Sequence, residues 1–165
     1  ISLNNFKANI FNSDIASSIR ELKSLSFDHV FMNPPYFKKN SVKKSPIPSS
    51  NQAKVETVPL SEWFSVARKR CKPKGKITII QRVERLPEIM ECLGSYFGQI
   101  TVQPISSFKD SSPKTIIVQA TKNSSAAFTL LAPKIVHKRD SVSGKVVYEE
   151  ELNKILRSGY PLLLN

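Results

Sequence analysis

The chain has 165 residues, of which 40% are hydrophobic and 23% are charged, and these values are typical of one globular domain with a buried core. Its 25 Lys and Arg residues outnumber its 13 Asp and Glu residues, so the net charge is +12. Such an excess favours a polyanionic partner, above all nucleic acid. The sequence has neither an apolar run of membrane length nor a strongly basic amphipathic helix, which argues against a membrane partner and predicts a cytoplasmic protein.

The cysteine and histidine residues indicate neither a disulfide framework nor a metal site. Cys71 and Cys92 fall in two different predicted helices and lack the spacing of zinc ligands. His29 and His137 are isolated, with no nucleophile or second ligand suggested beside them. We therefore predict no metal and assign no role to either histidine.

The first segment of the chain is predicted to contain a strand and a helix on either side of an acidic residue. Lys7–Asn12 has the pattern of a short strand. Ile15–Leu25 carries apolar residues at helical spacing and predicts an amphipathic helix. Asp14 lies between them and is a candidate N-cap, because a carboxylate accepts hydrogen bonds from free backbone N–H groups.

A buried strand is predicted at Phe27–Met32 and ends abruptly at two prolines. Pro34 and Pro35 cannot donate to a strand ladder, and each fixes its own φ angle. Asn33 therefore stands at the carboxyl end of a strand, on a stiff turn that is followed by Tyr36. In open α/β sheets, ligands bind at this end of the strands.

The segment after this turn is predicted to be a flexible basic loop over residues 38–54. It is rich in Ser, Pro and Lys and has no apolar period. Lysines on such a loop often serve only solubility. Because these follow the turn directly, they are also candidate contacts to nucleic-acid phosphates, namely Lys38, Lys39, Lys43 and Lys44.

Two helices and a strand are predicted next. Pro59 opens a helix whose apolar face extends to Cys71. Lys76–Gln81 has the apolar, β-branched character of a strand. Leu86–Phe97 predicts a second helix, with Gly98 as its C-terminal stop.

The last part of the chain is predicted to form a hairpin, a short strand and a helix. Gln99–Ile105 and Thr115–Thr121 are two strands that fit an antiparallel pair. Thr129–His137 predicts another short strand. A final helix starts near Glu149, with acidic residues in its first turn as the helix dipole favours, and Gly159 closes it.

The turn also offers the groups that an exocyclic aromatic amine needs in order to act as a nucleophile. The side-chain oxygen of Asn33 and the carbonyl of Pro34 can accept the amine hydrogens, and Tyr36 can stack on a flat base. Asn33-Pro34-Pro35-Tyr36 resembles the catalytic motif of amino-group methyltransferases that use S-adenosylmethionine. The resemblance implies that these four residues are catalytic, that Asn33 also contacts the cofactor, and that Asp14 hydrogen-bonds the adenine amino group of S-adenosylmethionine.

Weaker similarities extend along the chain. The turn Lys72–Lys76 looks like the family's link between a helix and a strand. Ser112–Val118 and Leu131–Pro133 resemble the C-terminal region of one subfamily, the tRNA N6-adenine methyltransferases that act on an anticodon-loop adenosine of a valine tRNA. The resemblance implies an α/β fold, the C-terminal part of a Rossmann-like class I methyltransferase sheet that is mostly parallel with an antiparallel C-terminal hairpin.

One departure from the family is large. All five glycines follow the turn, so the glycine-rich cofactor loop has no counterpart before residue 33. We therefore expect residues 1–165 to form a single partial domain, truncated at its N-terminus and inactive by itself. The resemblance implies a sheet ordered 3-2-1-4-5-7-6 in which Phe27–Met32 is the fourth strand. In this order the fourth strand pairs with the first. Without the first strand, Phe27–Met32 becomes an exposed edge, and we expect the chain to self-associate through it.

Several functions remain open on the sequence alone. Methylation of N6 of adenine in tRNA fits the resemblance and the basic charge. The resemblance also allows guanine-N2 methylation of ribosomal RNA and methylation of a protein glutamine, because the family uses this kind of turn for each of these target amines. A non-enzymatic, basic RNA-binding module on a methyltransferase-like scaffold is the alternative from a different class, and the missing glycine loop supports it.

Overall fold

The structure, a computed structural model, describes residues 7–15, 17, 22–36 and 57–164. Its first half consists of strand β1 (Phe27–Met32), helix α1 (Leu60–Arg70), strand β2 (Cys71–Arg82), a 3-10 turn (Val83–Arg85) and helix α2 (Leu86–Leu93). Its second half consists of strands β3 (Phe97–Ser106), β4 (Thr115–Lys122), β5 (Thr129–Leu130), β6 (Lys134–Ile135), β7 (His137–Arg139) and β8 (Val146–Tyr148), and helix α3 (Glu150–Ser158).

The main sheet has the strand order β1-β2-β4-β3-β5, and β6 also pairs with β3. β1 is parallel to β2, whereas β2 with β4 and β4 with β3 are antiparallel. The predicted hairpin is therefore confirmed, and so is the 4-5-7-6 part of the expected order. β7 and β8 form a separate antiparallel hairpin.

The hydrophobic core lies between one face of this sheet and helices α1 and α2. Alternate residues of each strand point to the same face, so Ile77 and Ile79 of β2 are buried beside Val118 of β4. Leu60 and Phe64 of α1 are buried in the same cluster. The apolar period that predicted α1 is therefore the face that the helix buries.

The other face of the sheet is more polar and more open at β1. His29 Nε2 lies 2.8 Å from Thr78 Oγ1, and Gln119 Nε2 donates to the same hydroxyl at 3.1 Å. Phe31, on β1, is 66% exposed. His29 thus belongs to a polar row across three strands, which explains its presence without any catalytic role.

The predicted strand at Lys7–Asn12 is wrong. Residues 7–14 lie outside any strand and are exposed. A strand needs a neighbour to complete its backbone ladder, and no described strand pairs with this segment. Residues 16 and 18–21 of the predicted helix Ile15–Leu25 fall outside the described residues, and the described end of this segment is a turn in which Leu25 N donates to Leu22 O at 3.1 Å.

The predicted end of helix α2 is also wrong, because Gly94 rather than Gly98 stops it. Gly94 has a φ of +49°, and its N–H donates to Met90 O at 3.2 Å. Gly98 instead lies in β3, where a Cβ atom would fall 2.1 Å from Ser124 O. This glycine is needed for a close backbone approach, a requirement that local sequence does not reveal.

Strand β2 starts earlier than predicted. Cys71 pairs with Phe27, and the next pair is Lys76 with His29, so the residues between Cys71 and Lys76 form an irregular detour in the ladder. Gly75 allows this detour, since a Cβ there would lie 2.9 Å from Asp28 O. The Lys72–Asp28 salt bridge of 3.0 Å spans the same point.

The tail contains shorter strands than predicted. Thr129–His137 is divided into β5, β6 and the start of β7, with Pro133 between the first two. Proline has no N–H for a ladder, which accounts for the interruption. Helix α3 is confirmed, and Gly159 ends it with a φ of +70°. Within the described ranges, no helix is long and apolar enough to cross a membrane.

Candidate active site

The turn after β1 has the arrangement that the sequence predicts. The strand ends at Met32, and residues 33–35 have no regular secondary structure. Asn33 is exposed, whereas the side chain of Pro34 is fully buried. Pro35 and Tyr36 are half-buried. A buried proline therefore anchors the turn while the neighbouring amide side chain remains accessible to a ligand.

Gln81 holds this turn from the neighbouring strand. Its side chain is fully buried, and its Nε2 donates to Pro35 O at 3.1 Å and to Pro34 O at 3.5 Å. Its Oε1 accepts a hydrogen bond from Arg82 N at 2.9 Å, which fixes the orientation of the amide. A carbonyl oxygen can accept two hydrogen bonds, and Gln81 occupies one of these positions on the Pro34 carbonyl.

The role of Gln81 was not predicted from the sequence. The available signal was a polar residue at the end of the apolar run Lys76–Gln81, where a buried strand favours apolar side chains. A buried amide requires hydrogen-bond partners. The partners of Gln81 lie on a turn that is far away in sequence. The polar residue in an apolar run therefore shows that Gln81 is unusual, but it does not show which groups Gln81 binds.

Beside Gln81, the end of β2 carries a surface ion pair. Arg82 binds Glu84 through two nitrogens, at 3.2 Å and 2.7 Å. The hydrogen bonds from Arg82 hold the pKa of Glu84 below its ordinary value. Glu84 therefore stays ionised at neutral pH. Its negative charge offsets the positive charge of Arg82, and its carboxylate is not available as a proton donor.

Asp14 and the turn reach a common cavity of about 550 Å³. Asp14 and Pro35 both line it, together with one face of α1 that includes Trp63 and Lys69. Of the four residues of the turn, Pro35 alone is among the lining residues. The main-chain oxygen of Asp14 accepts hydrogen bonds from Ser17 N at 3.0 Å and Ser17 Oγ at 2.7 Å.

The residues of this cavity suit the nucleoside part of S-adenosylmethionine. Its volume lies within the ~300–1,000 Å³ usual for small-molecule sites. Asp14 brings a carboxyl group that can accept from an amino group. Trp63 lines the cavity, and its Nε1 is buried with no hydrogen-bond partner among the described residues.

Other predicted site residues are not tested by this geometry. Lys38, Lys39, Lys43 and Lys44 lie outside the described residues, as does the whole of the predicted basic loop 38–54. In the part of the chain that the structure describes, no three His, Cys, Asp or Glu side chains are grouped to hold a metal ion.

Comparison with known proteins gives a likeness at the level of structure. No protein-family model and no curated protein matches the chain. The chain is similar to the crystal structure of a predicted O-methyltransferase, protein Atu636 from Agrobacterium tumefaciens, with a TM-score of 0.65 and 22% identity. The similarity covers 87% of this chain and 59% of that one, so the chain spans about three fifths of the length of this relative.

Two further similarities are too low to support an argument about fold. A structure of a type I R-M system has a TM-score of 0.43 at 18% identity, over 72% of this chain and 26% of that one. The M1.HpyAVI–SAM complex has a TM-score of 0.37 at 13% identity, over 74% and 53%. The first comparison and the sheet order together confirm the predicted fold class: the chain is an α/β protein with a methyltransferase-like sheet.

Proposed function

We propose that this chain carries the substrate-binding turn of an S-adenosylmethionine-dependent methyltransferase that acts on an exocyclic amino group. The target that we propose is N6 of adenine in tRNA. The observation that carries the proposal is the turn itself. Asn33 is exposed at the carboxyl end of β1, next to carbonyl groups that the buried Gln81 holds in place. The position of the turn supports the proposal, because it follows the carboxyl end of a strand and ligands bind at this end of the strands in open α/β sheets.

Each residue of the turn has a distinct role in this proposal. Asn33 Oδ1 and Pro34 O accept the two amine hydrogens and aim the nitrogen lone pair. Pro35 keeps the turn stiff, and its carbonyl is tied to Gln81 at 3.1 Å. Tyr36 stacks on the extruded base. Positioning of this kind supplies a large part of the rate acceleration in reactions between two bound partners.

The cofactor would be held by the cavity that Asp14 shares with the turn. Bound S-adenosylmethionine would supply an electrophilic methyl group. Asp14 would accept a hydrogen bond from its adenine amino group, and Asn33 would contact it from the turn. The lysines Lys38, Lys39, Lys43 and Lys44 would bind RNA phosphates beside the target base. Residues 1–165 would then form one partial methyltransferase domain, with 38–54 as its basic loop.

A second candidate is a non-enzymatic RNA-binding module on the same scaffold. The observation that favours it is the net charge of +12, which suits nucleic-acid binding with or without a cofactor. Calorimetric titration with S-adenosylmethionine separates the two candidates. The enzyme that contains this chain binds the cofactor under the proposed function, whereas a pure binding module gives no heat with cofactor and still binds RNA.

The test of the catalytic turn is the substitution Asn33→Ala in that enzyme. We expect turnover to fall on the order of a hundredfold, because the lost acceptor acts chiefly in the transition state. Transfer of a labelled methyl group to tRNA, to ribosomal RNA and to a release-factor protein also identifies the substrate class. Asn153→Ala, at an exposed position on α3, is the matched control. Near-parental turnover of the Asn33 variant on all three substrates would contradict the proposal.

A further inference from the structure

The loop after β3 and the hairpin β7–β8 lie at the same edge of the sheet as the turn. Because β1, β2 and β3 all run in one direction, their carboxyl ends Met32, Arg82 and Ser106 share one edge. Val136 N donates to Ser106 O at 2.9 Å, and His137 N donates to Ser107 O at 2.9 Å. These bonds tie the start of the hairpin to the carboxyl end of β3.

Three aromatic rings contact one another in tilted orientations where the loop meets the hairpin. The ring centroid of His137 lies 5.8 Å from that of Phe108 and 4.9 Å from that of Tyr148. Tyr148 is 37% exposed, and Arg157 Cζ lies 5.8 Å from the centre of its ring. His137 Nδ1 is buried and has no hydrogen-bond partner in the described part of the chain. Rings with one accessible end and nearby cations suit base stacking.

Four exposed cations lie on the loop between β3 and β4 and on the hairpin β7–β8, and none of them forms a salt bridge with a described residue: Lys109, Lys114, Arg139 and Lys145. In the hairpin register Arg139 pairs with Val146 and His137 with Tyr148, so Arg139 shares the face of the rings.

Two of the acidic residues near this surface already form a hydrogen bond or a salt bridge. Asp140 accepts from Ser143 N at 2.7 Å within the hairpin turn, and Glu149 pairs with Lys138 at 3.3 Å. Asp110 is the exposed acid of the loop after β3. Hydrogen bonds do not remove the charge of Asp140, so the four cations and Lys138 face the three acidic residues Asp110, Asp140 and Glu149. A net positive charge remains, and it complements a phosphate backbone.

We infer that these residues form a second contact surface for single-stranded RNA, at the carboxyl edge of the sheet. We name it the edge surface, and it consists of the four cations with the rings of Phe108, His137 and Tyr148. This inference rests on the proposed function and extends it. β1 and β3 are three strand spacings apart, roughly 14 Å, so the edge surface contacts nucleotides close to the base that the turn receives.

The test of the edge surface measures the binding of a short single-stranded RNA oligonucleotide to the chain by fluorescence anisotropy at several salt concentrations. Two double variants, Lys109→Gln with Lys114→Gln and Arg139→Gln with Lys145→Gln, neutralise it. We expect each pair to lower the slope of log K against log salt by about 1.4, since a single-strand phosphate contact contributes about 0.7. Lys23→Gln with Lys76→Gln, exposed lysines at the opposite edge of the sheet, is the control and leaves the slope unchanged.

The stacking residues have their own matched pair of variants. Tyr148→Leu is expected to weaken RNA binding by about tenfold with an unchanged salt slope, because a stacking contact is lost and no charge is removed. Tyr96→Leu is the control: this tyrosine is 50% exposed and lies under Arg68, at 4.1 Å from the ring centre, but it immediately precedes β3 at the opposite edge. Melting temperatures confirm that each variant is folded.

The outcomes separate this inference from the proposed function. If the edge variants bind RNA with the same salt slope and affinity as their controls, the edge surface does not contact RNA and this inference is wrong. That conclusion holds even where methyl transfer to RNA is measured. If the slopes and affinities change as expected while the enzyme containing the chain transfers no methyl group, the edge surface stands as an RNA contact and the proposed catalytic function fails.

Discussion

Gln81 is the single residue on which the geometry of the turn depends most. Substitution with Leu fills a similar volume but removes the donor to Pro34 O and Pro35 O. Loss of a partner for buried carbonyls costs about 1–3 kcal/mol of unfolding free energy. We also expect turnover in the intact enzyme to fall on the order of tenfold with an unchanged cofactor KM, because the turn loses its orientation rather than its binding groups.

Gln103 offers a control of the same kind for this prediction. It is buried on β3, and its Nε2 donates to Pro104 O at 2.9 Å and to Ala132 O at 2.7 Å, away from the turn. Gln103→Leu should lose comparable unfolding free energy in a denaturant titration and retain its turnover. If the Gln81 and Gln103 variants show equal turnover, Gln81 has a purely structural role.

At the level of elements, the hairpin β7–β8 is closed by Asp140. Its carboxylate accepts from Ser143 N at 2.7 Å, from Ser143 Oγ at 2.7 Å and from Val142 N at 3.2 Å. The bond from Ser143 N, followed by that from its hydroxyl, lowers the pKa of Asp140. A carboxyl group with a lowered pKa stabilises the folded hairpin fully above its ordinary pKa of about 3.9, and this contribution is lost as the pH falls through the lower folded value.

We therefore expect the hairpin turn to loosen in acid. The amide proton shift of Ser143, followed by NMR from neutral pH to about pH 2, should move with a midpoint below ~3.9. Asp140→Asn should abolish that titration, because an amide does not ionise. Asp110→Asn, at an exposed position in another loop, should leave it unchanged. A Ser143 shift that is flat in the parent chain would refute the carboxylate as the closing group.

At the level of the whole molecule, β1 is an edge strand among the described residues. An exposed edge with apolar side chains is a template for pairing with another chain. Phe31 is 66% exposed there. We expect the chain to self-associate with rising concentration, and Phe31→Lys to reduce this association because a charged edge strand disfavours pairing.

Sedimentation velocity over a range of protein concentrations measures this effect. Val142→Lys introduces the same charge at a residue that is 95% exposed but lies between β7 and β8, and it should leave the association as in the parent chain. A parent chain that sediments as a monomer at every concentration would show that the edge of β1 is not available for pairing.

The sequence alone determined the features that depend on covalent geometry and local period. β1 ends before Pro34 because proline lacks an N–H and restricts its own φ. α1 follows from its apolar period, α3 ends at Gly159 in the left-handed region, and the hairpin of β3 and β4 follows from two adjacent strand patterns. Proximity along the chain is sufficient for each of these.

Tertiary structure decided the features that join distant segments. Gln81 meets Pro35 across 46 positions, and Asp14 reaches the cavity of the turn only through the path of the folded chain. Gly98 is needed because a Cβ atom there would collide with the backbone of Ser124. Local preference therefore could not tell whether Gly94 or Gly98 ends α2. Lys7–Asn12 has the composition of a strand but pairs with none of the described strands. In each case a residue's role depends on its neighbours in space, and local pattern carries no information about which distant backbone or side chain occupies that space.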